Sequence, residues 1–278
     1  FPAGPRLLIN DHKPSKTFTN QANSVELIRD EGLKYVDLNK YIMSNDIVID
    51  KLFKGGSFAK TYLVSDFVRK HIVKKEKNAM YHYEKLKRQM NDLIRFNFLW
   101  DASTPTILGS SDTEFDFSFD MEYLEGYDTL DTYNEQEVEN ALNFLFEGMN
   151  NNVYSMKKEI DGIKWLENHY NNKIFAKFPN YRYENTLKML IDSDEIIINN
   201  KKYMGLKKIL TSIDKHKVKP SSIRPVHGDF TFENIMWNGS KIKLIDMDGS
   251  DSFDAAELDL GKMCQSVFSR FNEWKDLE

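Results

Sequence analysis

Val226-His227-Gly228-Asp229-Phe230-Thr231-Phe232-Glu233-Asn234-Ile235-Met236-Trp237-Asn238-Gly239-Ser240-Lys241-Ile242-Lys243-Leu244-Ile245-Asp246-Met247-Asp248 runs as a loop followed by a hairpin. Asn-Gly is the preferred two-residue hairpin turn, because both positions tolerate φ > 0. Pairing outward from Asn238-Gly239 sets Asn234 across from about Leu244. Asn234 and Asp246 then become near-diagonal neighbours, roughly 7–8 Å apart at Cα. Two oxygen-bearing side chains at one hairpin end can converge on a cation. A few oxygen-only ligands suit Mg²⁺, which keeps waters and shares phosphate oxygens. Asp229 sits one short loop earlier, where it could accept a hydroxyl proton beside that metal. His227 and Gly228 would shape the loop, since glycine permits unusual φ/ψ and histidine can bond the neighbouring backbone. Any one of these residues alone reads more readily as turn chemistry. An apolar strand ending in Asp246 where its partner begins with Asn234, with a further Asp before both, is much harder to obtain by accident.

This segment resembles the aminoglycoside phosphotransferase and choline kinase family, distant relatives of protein kinases. That family's catalytic loop reads H-G-D-x-x-x-x-N, matched from His227 to Asn234. Its metal-binding Asp closes the next strand as I-D-x-x, here Ile245-Asp246-Met247-Asp248. The resemblance implies transfer of the γ-phosphate of ATP, with Mg²⁺, to a hydroxyl of a small molecule: a sugar, an amino alcohol or an aminoglycoside-like acceptor. In such kinases the loop Asp orients or deprotonates the acceptor hydroxyl, while the Asn and the second Asp hold Mg²⁺. The catalytic roles fall on Asp229 and His227, and the metal roles on Asn234 and Asp246. The implied fold class is α+β, a bilobal protein-kinase-like fold with a small β-rich N-lobe and a larger, mainly helical C-lobe. Residues 1–45 would be an N-terminal extension, 46–125 the nucleotide-binding N-lobe, and 126–278 the catalytic and acceptor-binding C-lobe. A nucleotide-binding pseudokinase or regulatory module without turnover is the alternative, and the intact Asp229, Asn234 and Asp246 argue against it. A protein kinase is disfavoured, because no A-P-E-like segment follows Asp246 and the next helix leaves no room for a long activation loop.

The fold implies a glycine-rich hairpin over the phosphates, and Gly55, Gly56, Ser57 and Phe58 occupy that place in the chain. Small residues there let backbone N–H groups approach phosphate oxygens. No G-x-x-x-x-G-K-[ST] occurs, so a P-loop enzyme is disfavoured. A strand lysine should follow the hairpin. Lys70 in Val68-Arg69-Lys70 is preferred over Lys74 by its position in the meander. Glu84 is its expected helix partner, with Glu76 as the alternative. Phe117 to Gly126 resembles the segment joining the lobes, where backbone groups near Glu122, Tyr123 and Leu124 would bond the adenine.

The flanking sequence agrees with this order. Thr61–Val64 and Phe67–Val73, parted by a Ser65-Asp66 turn, form a small antiparallel meander. Tyr83, Leu86, Met90, Leu93 and Ile94 recur at helical spacing within residues 76–97. Phe115 to Tyr123 is extended. Residues 135–171, 181–192, 205–216 and 254–274 are helical by periodicity, with a small hairpin around Asn199-Asn200. Leu258-Asp259-Leu260-Gly261-Lys262 is similar to the family's D-L-x-K-like helix, in which the Asp is structural. Asp251, Asp254, Glu257 and Asp259 could line a cleft for a cationic amine or cap and solvate this helix, and the cap reading is preferred. Trp165, Tyr170, Tyr181 and Tyr183 lie in the helical insertion that usually forms the acceptor pocket in the resembled family. Core packing is the better expectation for each of them.

Composition narrows the partners. The chain has 278 residues, 41% of them apolar, and a formal net charge of −5. That balance disfavours nucleic acid, whose phosphate backbone demands a basic surface. No run approaches the roughly 20 apolar residues that span a bilayer, so no membrane partner is expected. Cys264 is the single cysteine, which excludes a disulfide framework and points to a reducing cytoplasm. The chain opens FPAGPRLLIN, without the charged and apolar regions of a signal peptide. Residues 4–32 are similar to the tail of a haloacid-dehalogenase-like phosphatase domain, which implies either an upstream domain in the native polypeptide or a retained extension of that origin.

Overall fold

The computed structural model describes residues 49–53, 59–74, 79–178, 185–248 and 253–269. They divide into two compact units. One lies within Phe1–Ser155, Pro225–Asp254 and Leu258–Glu278, the other within Met156–Arg224 and Ala255–Glu257.

The first unit opens with β1 (Lys51–Phe53), β2 (Lys60–Val64) and β3 (Phe67–Val73). The turn between β2 and β3 places Ser65 at φ 57°, and the Asp50 carboxylate holds its N–H at 2.7 Å. Helix α1 (Ala79–Leu99) follows, then β4 (Ile107–Asp112) and β5 (Asp116–Glu122). The five strands form one antiparallel sheet in the order β1-β2-β3-β5-β4. β3 is interior, and every residue from Phe67 to Ile72 is buried. Polar side chains on it must therefore find partners. Arg69, directly opposite Asp120 on β5, makes two bonds to that carboxylate, at 2.7 and 3.0 Å. On α1, Leu86, Gln89, Leu93 and Phe96 are buried at three- and four-residue spacing, which makes one stripe facing the core. Burying each of its three apolar members contributes about 1.5–3 kcal/mol.

β6 (Asp128–Thr129) leads to α2 (Glu135–Gly148). Asn134 caps α2 by accepting the Glu137 N–H at 3.1 Å. The single helix expected over 135–171 does not form. α2 ends at Gly148 and loosens into a wide turn over Met149–Val153. The cause is the run Asn150-Asn151-Asn152, whose side chains compete with the backbone; Asn152 Nδ2 donates to the Gly148 carbonyl at 2.9 Å. Gly148 is also where Trp100 packs, since a Cβ there would stand 2.1 Å from the indole.

The second unit holds β7 (Lys158–Glu159), α3 (Gly162–His169), α4 (Asn185–Asp192), β8 (Glu195–Ile198), β9 (Lys201–Met204), α5 (Leu206–Ser212), α6 (Lys215–Val218) and β10 (Ser222–Pro225). β7 pairs with β10, and β8 with β9. Asn199 and Asn200 turn between β8 and β9 at φ 50° and 62°, as a two-residue primed turn requires. The helix expected over 205–216 is two helices, because Asp214 caps a fresh start by accepting the His216 N–H.

The chain returns to the first unit with β11 (Ile235–Trp237) and β12 (Ile242–Leu244), followed by α7 (Ala256–Ser269). β11 pairs with β12 and with β6. The β11–β12 register differs from the expected one. Trp237 faces Ile242, so the turn is Asn238–Lys241 and not Asn238-Gly239 alone. Asn238 Oδ1 accepts the N–H groups of Ser240 and Lys241 at 3.1 and 2.8 Å, and Gly239 takes φ 87°. A side-chain cap has replaced the tight backbone turn. Asn234 consequently meets Ile245, whose N–H donates to the Asn234 carbonyl at 3.0 Å. Among the described residues no helix is long and apolar enough to cross a membrane.

Candidate active site

The short connection from Val226 into β11 carries the first group of predicted residues. Gly228 adopts φ 84°, and a Cβ on it would lie 2.8 Å from the Asp248 Cβ. Glycine is therefore required where the 246–248 segment crosses the loop. The Asp248 N–H donates to the His227 carbonyl at 3.0 Å and fixes that crossing. Asn234 is buried and directs Nδ2 at Asp229, 2.8 Å from its carbonyl and 3.3 Å from Oδ2. With Nδ2 so committed, Oδ1 is the Asn234 atom suited to face a cation.

Asp246 follows β12 at φ 55°, in the left-handed region that few residues other than glycine adopt. Its Oδ1 accepts from Lys70 Nζ. Lys70 is buried on β3 and also donates to Gln89 Oε1 of α1 at 3.1 Å. Gln89 in turn donates to the Met247 carbonyl at 2.8 Å, and Lys85 of α1 pairs with Asp248 at 3.0 Å. Asp229, Asn234, Asp246 and Lys70 are thus joined through short contacts from three separate parts of the chain. Lys74, the rival lysine, lies elsewhere. It donates to Asp112 and to the Thr113 carbonyl, with its ammonium over the Tyr83 ring.

Two expected roles need correction. Glu84 is exposed and is not the helix partner of Lys70; Gln89 is. Five residues separate them, which is about 140° of helix rotation, and the buried face belongs to Gln89. His227 is not placed to exchange protons with a substrate. It is 1% exposed, its Nδ1 accepts the Asp229 N–H at 3.2 Å, and its Nε2 donates to the Ile245 carbonyl at 2.8 Å. Burial pulls its pKa below the usual imidazole value against the nearby carboxylates. The neutral ring is the form these two bonds need, and it ties Asp229 to the strand that ends at Asp246.

Asp259 of α7 is wholly buried and accepts from the His227 N–H (3.0 Å), the Gly228 N–H (2.9 Å) and the Tyr154 hydroxyl (3.0 Å). Burial pushes its carboxyl upward, while His227 and the two backbone donors oppose that. Both oxygens act as acceptors, so its role in the structure is to hold the loop. Further along α7, Lys262 Nζ stands 3.0 Å from Asp229 Oδ1, and Ser266 Oγ accepts the Phe232 N–H at 3.1 Å. Sequence reasoning missed Gln89 and gave Lys262 no role. Gln89 was detectable as the polar residue on the Leu86–Leu93 face.

At the end of β5, the Glu122 N–H donates to the Thr106 carbonyl at 2.9 Å. Its carboxylate takes the Thr106 N–H at 3.1 Å and buried Lys243 at 3.2 Å. Burial raises the Glu122 pKa, but these donors outweigh it and hold the group below its ordinary value. Tyr123 is 40% exposed, and the Leu124 carbonyl accepts the Tyr127 N–H at 3.3 Å. Gly55, Gly56, Ser57 and Phe58 lie outside the described residues, as do Glu76, Tyr181, Tyr183 and Asp251. In the second unit Tyr170 is buried and Trp165 stacks on His169 at 4.8 Å.

No family model and no curated protein matches the chain. Among solved structures, it is similar to one described as a fructosamine-3-kinase from Haemophilus somnus 129PT. The identity is 15% and the TM-score 0.51, over 81% of this chain and 74% of that one. A choline/ethanolamine kinase family protein from Mesorhizobium loti aligns at 14% identity and TM-score 0.41, over 88% of this chain and 71% of that one. The first likeness shows the fold: the chain has the α+β protein-kinase-like fold. That is the fold implied by the H-G-D-x-x-x-x-N match, and a fold does not by itself name a substrate.

Proposed function

We propose that the chain is an ATP- and Mg²⁺-dependent phosphotransferase that moves the γ-phosphate to a hydroxyl of a small molecule. The observation that best supports this is the meeting of Asp229, Asn234, Asp246 and Lys70. The donor set fits the metal. With Asn234 Nδ2 bound to Asp229, Asn234 Oδ1 and the Asp246 carboxylate offer oxygens. Mg²⁺ suits such a site, because it takes one or two carboxylates and draws its other ligands from water and phosphate. When bound, it would offset the negative charge of the phosphates.

The chain's own residues supply the rest. Asp229 receives the proton of the acceptor hydroxyl. The hydroxyl oxygen then bonds to the γ-phosphorus as the bond to the β–γ bridging oxygen breaks, and ADP leaves with that oxygen. Lys70, steadied by Gln89, is the cation for the phosphates. Glu122 to Leu124 and the Gly55–Phe58 segment are the proposed nucleotide contacts. The test is ADP release from Mg·ATP across a panel of sugars, amino alcohols and aminoglycosides. One acceptor class should give turnover. Absence of Mg·ATP binding would remove the reading, and binding without turnover on any acceptor would identify a nucleotide-binding module instead.

A further inference from the structure

The loop from His227 to Asn234 carries the reactive carboxylate but contains no lysine or arginine. The cation beside that carboxylate comes from α7. Asp259, Lys262 and Ser266 fall at i, i+3 and i+7, on one stripe of the helix, and each holds a different part of the loop. Asp259 takes the N–H groups of His227 and Gly228, and Ser266 takes that of Phe232. These two outer points bind backbone and set the path of the loop. Lys262, between them, is the member of the stripe that binds the Asp229 side chain.

We propose that Lys262 is a positioning residue for phosphoryl transfer, holding Asp229 Oδ1 so that Oδ2 meets the acceptor hydroxyl in a fixed orientation; this rests on the phosphotransferase reading. The Lys262 and Asp229 side chains are 42% and 40% exposed, so their pairing adds little to stability. Its effect lies in geometry. The terminal torsion of an Asp is broad, and rotation about it would sweep both oxygens past the hydroxyl. Lys262 on Oδ1 and Asn234 Nδ2 at 3.3 Å from Oδ2 restrain that rotation from two sides. Small misplacements of a reacting group can cost about 10²-fold in rate. Lys70 cannot take this part, because it is engaged with Asp246 and Gln89.

The test uses the full chain and follows ADP release from Mg·ATP, with water as acceptor and with the best hydroxyl of the panel. Lys262→Met keeps the aliphatic stem and removes the charge. It should lower kcat about tenfold, leave the KM for Mg·ATP within about twofold, and leave the melting temperature unchanged. Lys262→Arg should recover most of the rate. In an Asp229→Asn background, Lys262→Met should cost nothing further, because Lys262 acts through Asp229. Wild-type kcat in Lys262→Met overturns the proposal. So does an undiminished loss in the Asp229→Asn background, which would place Lys262 on the phosphoryl group itself. A kcat loss that only tracks a lowered melting temperature, with no recovery in Lys262→Arg, also overturns it. A wild-type chain that binds Mg·ATP and releases no ADP removes the phosphotransferase reading, and that result precedes any variant.

Discussion

Asp246 holds a backbone conformation at φ 55° that costs a non-glycine residue energy. Strain of this kind persists where the surroundings impose it, and here Lys70 and the Gln89-bound Met247 carbonyl flank it. Asp246→Asn should therefore fold, since asparagine also tolerates the left-handed region. Its turnover should fall by roughly 10²-fold or more, because the charge facing the phosphate cation is gone. Circular dichroism and ADP release on the same sample check this, and near-normal rates would remove the metal role. Asp229→Asn keeps size and most bonding but loses the basic oxygen. Mg·ATP affinity should stay within a few-fold while transfer drops by about 10²-fold; parallel loss of both would move Asp229 into the nucleotide site. Lys70→Ala should weaken Mg·ATP binding far more than Lys74→Ala, whose ammonium sits with Asp112. That these residues would lie near one another was legible, because each sits in a short local pattern: a loop, a strand end, a strand after a turn. Glu84 was misread because a helix's rotation about its axis is set by packing, which a residue's charge does not report. For His227 the loop-shaping reading holds and the catalytic one narrows to it, because burial and two backbone partners make this ring a fixed spacer.

The element with most control over the loop is α7, through Asp259. Its carboxylate ends three donors, two of them main-chain N–H groups. Asp259→Asn turns one acceptor oxygen into a donor and sets it against an N–H. A buried unsatisfied donor costs about 1–3 kcal/mol, and loss of a bond to a charged group adds to that. The variant should lose about 2–3 kcal/mol, read as a lowered urea midpoint, with turnover falling alongside. An unchanged midpoint would mean that the loop is held by other contacts. Element boundaries were legible where side-chain chemistry is local. β3 runs over Phe67–Val73 as expected, because a Ser-Asp turn and a β-rich run define it. β4 was not anticipated: Ile107-Leu108-Gly109-Ser110-Ser111-Asp112 lacks β-branched and aromatic content beyond Ile107, and its strand form comes from pairing with β5. The expected 135–171 helix failed for the opposite reason. Its apolar period continues past Gly148, but the three asparagines after it offer the backbone other partners.

At the scale of the molecule, the two units differ in how much they bury. The first contains β2, β5 and the inward face of α1, where Tyr62, Leu86, Phe96, Phe117 and Phe119 are at most 1% exposed. In the second, α5 and α6 have no buried residue, and every residue of β9 is exposed. Local opening is opposed mainly by buried apolar contacts, so its free energy should be low where such contacts are few. Native-state hydrogen exchange should show this directly. Amides of 195–218 should exchange through local opening, while those of β3 and β5 should exchange only with unfolding of the first unit. Saturating Mg²⁺ with a non-hydrolysable ATP analogue then adds a second, independent contrast. A ligand at 100 times its dissociation constant stabilises the state that binds it by about 2.7 kcal/mol. All the proposed nucleotide contacts fall in the first unit, so β3 and β5 should slow by about that amount while 195–218 stays as it was. Equal protection of both regions without ligand would refute the contrast in stability. Equal slowing of both on adding the analogue would mean that opening of 195–218 is coupled to the nucleotide site, a coupling that the first unit's contacts do not require.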